Sequence, residues 1–321
     1  MAEGSSVIER VPPADFPAVA EVTPDPTGAH YYRADAAAPT TSSLLESVLD
    51  VWYARELLGQ LTLRDIRIRY KQAVMGFGWA IFMPLLVIFS GVLVQYAMAY
   101  VSGRAVDANL LAGVAVKAIG WSFFVGAIGF ATPSLLASIG LVTKIYFPRE
   151  VLPLSSVVAQ CFDSAIGIVA LVIVLPFLSA DLSLQALWAV PVLLLLFLFT
   201  SAAALFLSCA NLFFRDVKYI VQVMLTFGIF FTPVLFEPAM FGRLGGLLML
   251  NPISPLLEGL RLSVVKGHSL LQVLEVAGRD GQAVLVWTPW YLAYSAAWAI
   301  VGLVLSLLLF RRASAKFAEF A

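Results

Sequence analysis

Four cations fall within the eight residues RDIRIRYK, residues 64–71: Arg64, Arg67, Arg69 and Lys71, opposed only by Asp65. Cations at that density, set against a long apolar run, read first as a positive-inside anchor with snorkelling side chains. That role does not exclude a second one, and little else in the sequence offers chemistry. His30 and His268 are far apart, and neither HExxH nor GxSxG occurs. The GFG at 76–78 lacks the third glycine and the Lys-Ser/Thr of a phosphate-cradling loop. Cys161 and Cys209 lie in apolar runs outside any CxxC spacing and read as small buried hydrophobes. With no catalytic or metal-binding constellation, any uphill work falls to another subunit.

The cationic cluster abuts a run without charge from Gln72 to Gly103. Of 321 residues, 61% are hydrophobic and only 12% charged, the composition of an integral membrane protein. The formal net charge of zero hides an asymmetry. Residues 1–50 hold eight acids against Arg10 and Arg33, which leaves 18 cations against 12 acids in the rest. Residues 1–40 are acidic and Pro/Ala-rich, with too little apolar surface to offset the entropy of ordering. They are expected to be a disordered cytoplasmic tail, and no signal-peptide core is visible in them.

A helix needs about 20 residues to cross a hydrocarbon core roughly 30 Å thick. Six candidates meet that length: about 76–100, within 108–137, about 152–178, 186–213, 219–236 and 287–310. The second contains Lys117, expected near the outer boundary with its side chain snorkelling. The third contains Asp163, expected to face the bundle or a cavity because an ionisable group in a span is costly. The uncharged run LGGLLMLNPISPLL, residues 244–257, is too short to cross and is interrupted by two prolines. It reads as re-entrant or interfacial, with Asn251 and Pro252 suited to a turn at membrane depth. Glu258 and Arg261 follow three apart and are placed to pair on one helix face. The fold class is therefore all-α and integral to the membrane, with six spans. Cations concentrate in alternate loops, which puts both termini in the cytoplasm by the positive-inside rule.

Three segments outside the spans carry further signal. In SLLESVLDVWYARELLG, residues 43–59, Leu45, Val48, Leu49 and Trp52 recur at helical intervals. Ser43 and Glu46 have capping-box spacing and Gly59 is a natural stop, so an amphipathic helix on the inner membrane surface is expected. It serves either as a plain anchor or as a docking element for a cytoplasmic partner. The loop TKIYFPREVLPL, residues 143–154, is expected to expose Tyr146 and Phe147 beside Lys144, Arg149 and Glu150. Exposed aromatics among charges fit a protein contact or an interfacial aromatic belt. NLFFRDVKY, residues 211–219, reads as a tight hairpin turn between spans. The 64–71 cluster is itself a positive-inside anchor, and that role does not exclude a second one.

These motifs, in this order, carry a family likeness. The amphipathic helix, RDIRIRYKQAVMGFGWAIFMPL, LVTKIYFPREVLPL, LFFRDVKYIVQVMLTFGIFFTPVLF and NPISPLLEGLR together resemble the ABC-2 type permeases that export polysaccharides. The likeness covers about residues 43–312, and it implies a transmembrane domain over 41–321 that works as a homodimer. Each copy would sit on a cytoplasmic ABC ATPase, two in all, with no cofactor on this chain and ATP/Mg on the partner. The substrate would be a lipid-linked polysaccharide crossing the inner membrane, and no nucleic acid is implied. Residues 43–59 would be the interface helix, and Lys144, Tyr146, Phe147, Pro148, Arg149 and Glu150 the coupling element. Arg64, Arg67, Arg69, Tyr70 and Lys71 would stand at the channel entrance. Residues 237–266 would form re-entrant helices. The first and fifth spans would line the channel with Phe77, Trp79, Phe82, Phe89, Tyr96, Phe227, Phe230 and Phe231. Those aromatics equally suit lipid contact or helix packing. Export of a drug or small lipid by the same architecture is the nearest alternative. A membrane glycosyltransferase would need carboxylate or metal motifs that the loops lack.

Overall fold

A computed structural model describes residues 44–71, 78–103, 108–144, 147–178, 183–277, 283–314 and 317. The predicted tail, Phe77 and Tyr146 lie outside them. The chain is built almost wholly from helices: α1 (Leu44–Tyr53), α2 (Arg55–Tyr70), α3 (Gly78–Ser102), α4 (Ala108–Ala131), α5 (Ser134–Ala137), α6 (Ile139–Lys144), α7 (Val151–Val174), α8 (Ala189–Phe213), α9 (Val217–Phe231), α10 (Gly245–Leu248), α11 (Ile253–Val264) and α12 (Pro289–Ser314). Short 3-10 helices occupy Leu175–Leu178, Leu184–Trp188 and Pro238–Leu244. Among the described residues, one short antiparallel hairpin, β1 (Leu274–Ala277) with β2 (Ala283–Trp287), precedes α12 in a fold that is otherwise helical, as expected.

Among the described residues, five segments are long and apolar enough to cross a membrane: Ile81–Val101, Ala108–Ala131, Val151–Ile173, Leu184–Phe213 and Pro289–Ser314. These match five of the expected spans, and the chain is a multi-pass membrane protein. The expected span at 219–236 is shorter. Helix α9 has 15 residues, so it rises about 22 Å, less than the roughly 30 Å hydrocarbon core. It ends at Phe231, and the chain continues as an irregular strap to Glu237.

Helix α4 is the hub, packing against α3, α7, α8, α9 and α11. Lipid tails are as apolar as leucine, so close backbone approach has to bring such helices together. The sequence of α4 supplies it. At Gly126 an added Cβ would lie 2.5 Å from the Gln160 side chain of α7, and at Gly113 it would lie 2.8 Å from Arg261 Cδ of α11. Two hydroxyls in apolar surroundings are satisfied locally: Thr132 donates to the Ile128 carbonyl at 2.7 Å and Thr200 to that of Leu196 at 2.7 Å. A second apolar cluster closes the end of the bundle where α2, α7 and α12 meet, with Leu61, Leu135, Phe147, Leu152, Leu212, Phe310 and Phe317 buried together.

Helix boundaries at the start differ from expectation. The amphipathic segment breaks at Ala54, and Gly59 lies inside α2 rather than ending a helix. A mid-helix glycine costs about 1 kcal/mol relative to alanine. Docking of α2 along α7 outweighs it.

Candidate functional site

The cationic cluster forms the second half of α2, with Arg67 and Arg69 in its last turn, where the helix dipole favours positive charge. Asp65 and Arg69 are four apart and share a face. On α7, Ser156, Gln160 and Asp163 recur at the same helical interval and meet that face. Asp65 accepts from the Ser155 hydroxyl at 3.1 Å and from that of Ser156 at 3.3 Å. Arg69 donates to Gln160 at 2.9 Å and to Asp163 at 2.6 Å, and its guanidinium lies 3.8 Å from the centroid of the Phe130 ring. The Tyr70 hydroxyl donates to the other Asp163 oxygen. This polar seam runs twelve residues into α7, about 18 Å at 1.5 Å per residue.

The seam assigns Asp163 a partner and corrects the surface-anchor reading of two members of the cluster. Arg69 and Tyr70 do not snorkel; they are tied to α7 beside a carboxylate that neutralises the arginine. Arg64 is paired with Asp65 at 2.9 Å. Arg67 and Lys71 are exposed.

At the same end, the loop before α7 turns inward. Phe147 is 8% exposed within the second apolar cluster, against the expectation that it projects into solvent. Pro148 and Arg149 are half-buried. Arg149 donates to the Ser314 carbonyl at the end of α12 and faces the Phe317 ring at 5.5 Å. Glu150 is buried at the start of α7, with Arg311 4.0 Å away, and Arg311 binds Asp50 of α1 at 2.7 Å. Burial pushes the Glu150 carboxyl above its ordinary range, and Arg311 offsets that in part. The loop, α1 and the end of α12 thus form one base. Lys144 ends α6. On α1, Leu49 and Trp52 are exposed, with Arg55 5.7 Å from the Trp52 ring; of Leu45 and Val48 only the helix is described.

The opposite half of the molecule holds the second charged group. Lys117 is 1% exposed, nine residues and about 14 Å into α4, so the snorkelling expectation is corrected. Its ammonium donates to the Phe236 carbonyl at 2.7 Å and lies 3.7 Å from Glu258. Glu258 and Arg261 pair as their spacing predicts, and Arg261 also binds Glu237. Two cations and two carboxylates therefore close a neutral quartet joining α4, α11 and the chain after α9. Glu237 was not foreseen; its sole signal was a lone acid at the end of an apolar run.

The wider strap from Thr232 to Pro252, irregular to Glu237 and then carrying the 3-10 turn and α10, has several of its polar groups met by side chains. Gln95 of α3 donates to the Leu235 carbonyl at 2.9 Å and Asn251 to the Thr232 hydroxyl at 3.1 Å. Tyr294 and Ser295 of α12 donate to the carbonyls of Leu250 at 2.7 Å and Pro252 at 2.8 Å. Non-helical backbone in an apolar setting needs such partners. Asn251 also accepts from the Ile253 amide at 3.3 Å, and Pro252 leads into α11, whose helix is buried against α4, α8 and α12.

The candidate lining aromatics do not converge within one chain. Trp79, Phe82, Phe89 and Tyr96 on α3 are exposed, as are Phe227, Phe230 and Phe231 on α9. Trp79 and Phe82 stack edge to face at 5.6 Å, and no ring pair joins the two sets among the described residues. No group of three or more metal-ligating side chains occurs among the described residues.

No family model matches the chain. Two O-antigen export system permease proteins RfbA from Klebsiella pneumoniae are each 25% identical to it. One aligns over 239 residues, 73% of this chain and 91% of the relative; the other over 207 residues, 64% and 78%. A protein of the same name from Myxococcus xanthus is 29% identical over 194 residues, 60% of this chain and 73% of its own. These relatives agree with the likeness carried by the motifs and with the helical membrane architecture. The chain is similar to O-antigen export system permease proteins over 60–73% of its length.

Proposed function

We propose that this chain is the permease subunit of an ABC exporter that moves a lipid-linked polysaccharide of O-antigen type across the inner membrane. The observation that carries the reading is the similarity to O-antigen export permeases over as much as 91% of a relative's length. The chain provides the path, and a separate ATPase, two copies per homodimer, provides the work with its own ATP and Mg. Both termini face the cytoplasm. Helix α9 with its irregular extension serves as the sixth span, and α11 is re-entrant from the outer side, held at depth by the Lys117 quartet.

Physical features support this arrangement. Helices α3 and α9 leave most of their apolar surface bare in one chain, which suits a second copy packed across a shared channel. Their aromatics would then offer ring faces to the C–H surfaces of sugars. The exposed Arg67 and Lys71 stand at the cytoplasmic entrance, ready for the pyrophosphate of the carrier. Exposed Leu49 and Trp52 of α1, with the loop 144–150, make the seat for the ATPase; the buried Phe147 braces that loop from within.

Affinity purification of the tagged chain tests the reading. It should recover an ABC ATPase, and deletion of the gene should leave a polyprenyl-linked glycan accumulating on the inner leaflet. A chain that purifies alone and hydrolyses ATP unaided, or a deletion strain with normal surface glycan and no accumulated precursor, overturns it.

A further inference from the structure

A cavity of about 290 Å³ opens between the end of α4 and the start of α9, at the same end of the bundle as the α2 cluster. Gly129, Thr132 and Pro133 form one wall, and Lys218, Tyr219 and Gln222 the other. Lys218 and Gln222 are four apart, and Tyr219 is three from Gln222. One face of α9 therefore presents an ammonium, a phenol and an amide together. The Lys218 ammonium lies 4.7 Å from the Tyr219 ring centroid. The start of α9 is held in place from below, where the Asn211 side chain accepts from the Lys218 amide at 3.1 Å.

Among the described residues, Lys218 is an exposed cation without a carboxylate partner, as are Arg67, Lys71 and Arg312, and it is the one of these that lines this cavity. Arg64, Arg69, Lys117, Arg261 and Arg311 each have a carboxylate partner. No carboxylate lies within salt-bridge distance of Lys218 among the described residues. It is a cation facing a cavity without a counter-charge of its own. The volume sits near the lower bound for small-molecule sites, about 300 Å³. That is room for one sugar ring and its phosphate, not for a chain of sugars.

We propose that this cavity seats the phosphorylated first sugar of a polyprenyl-linked glycan, with phosphate on the Lys218 ammonium, the ring against Tyr219 and a hydroxyl on Gln222. The inference rests on the export reading and adds where the headgroup waits before it enters the channel. A membrane phospholipid offers the same phosphate but no ring, so the aromatic and amide on the wall favour the glycan carrier.

The test uses the chain purified in complex with its ATPase. Binding is measured by native mass spectrometry for undecaprenyl pyrophosphate bearing one N-acetylhexosamine, for undecaprenyl pyrophosphate alone, and for phosphatidylglycerol. Lys218→Gln should weaken the sugar-bearing probe about tenfold or more. Gly129→Leu should do the same by filling the cavity, since a Cβ there meets nothing within 4 Å. Arg312→Gln, an exposed cation elsewhere on the chain, should leave binding unchanged. Removing the sugar should lower affinity in the wild type more than in Lys218→Gln. Tight binding that survives both variants overturns the site while leaving the export reading intact. Phosphatidylglycerol binding with equal affinity and equal sensitivity to Lys218→Gln overturns it in favour of a phospholipid seat. A wild-type complex that binds no polyprenyl pyrophosphate overturns both.

Discussion

Replacing Glu258 with glutamine keeps the volume of the side chain and removes one charge from the buried quartet. Two cations, Lys117 and Arg261, then face Glu237 alone. At 3.7 Å the lost Lys117–Glu258 attraction is worth about 4 kcal/mol at an effective dielectric near 20. Breaking a buried pair by removing one partner costs about 3–5 kcal/mol, which agrees in size. Lys117→Met alone leaves the group with a net negative charge and frees the Phe236 carbonyl from its donor, a loss of about 1–3 kcal/mol for the carbonyl besides the charge imbalance. The double variant restores neutrality around the Arg261–Glu237 pair. It should be less destabilised than the sum of the singles by about 1–3 kcal/mol. Equilibrium unfolding in mixed detergent–SDS micelles measures all three. Additive effects, or a cost below about 1 kcal/mol for Glu258→Gln, would refute the view that these charges form one closed network.

The Arg69–Asp163 pair should show the same signature: Arg69→Gln and Asp163→Asn each destabilise, with a double-mutant coupling of about 1–3 kcal/mol. Phe147→Ala should cost about 3–5 kcal/mol of stability as a core truncation, read as a fall in unfolding midpoint of the isolated chain. Glu150 binds its proton more tightly in the folded chain than in the unfolded one. Its stabilising effect is therefore full below about pH 4.5 and is lost as pH rises through the folded value. Melting temperature followed from pH 4 to 8 should fall in the wild type relative to Glu150→Gln as pH rises, and parallel curves would contradict this.

Five long apolar helices and the Glu258–Arg261 pair were legible because each depends on local spacing. Hydropathy over 20 residues and an i, i+3 interval need no knowledge of the rest of the chain. The seam between α2 and α7 was not legible, because Arg69 and Asp163 are 94 residues apart and only the packing of two helices joins them. Asp163 itself was a sound signal: a carboxylate in a span demands a partner, though sequence could not say which. Lys117 misled for the same reason, since a lysine alone near a predicted boundary is expected to snorkel, and Glu237 and Glu258 arrive only with the fold. Phe147 was placed outside because its neighbours are charged; in the fold those neighbours bind α12 and draw the ring inward. The hairpin had a short signal, the Val-bearing runs LEVA and AVLVW on either side of the glycine-containing GRDGQ, which is faint beside the 20-residue apolar helices.

The strap between Thr232 and Pro252 also sets an order of manufacture. Its last two carbonyl partners, Tyr294 and Ser295, are made more than forty residues after the groups they cap. At roughly 5–20 residues per second, a ribosome takes about 2–9 seconds to bridge that gap. For that interval the strap has no finished lodging among the helices, and it settles only after the final helix has been delivered to the bilayer. Insertion of this polypeptide thus finishes from its carboxyl end backwards, and a truncation that spares the strap but removes the closing helix leaves it homeless.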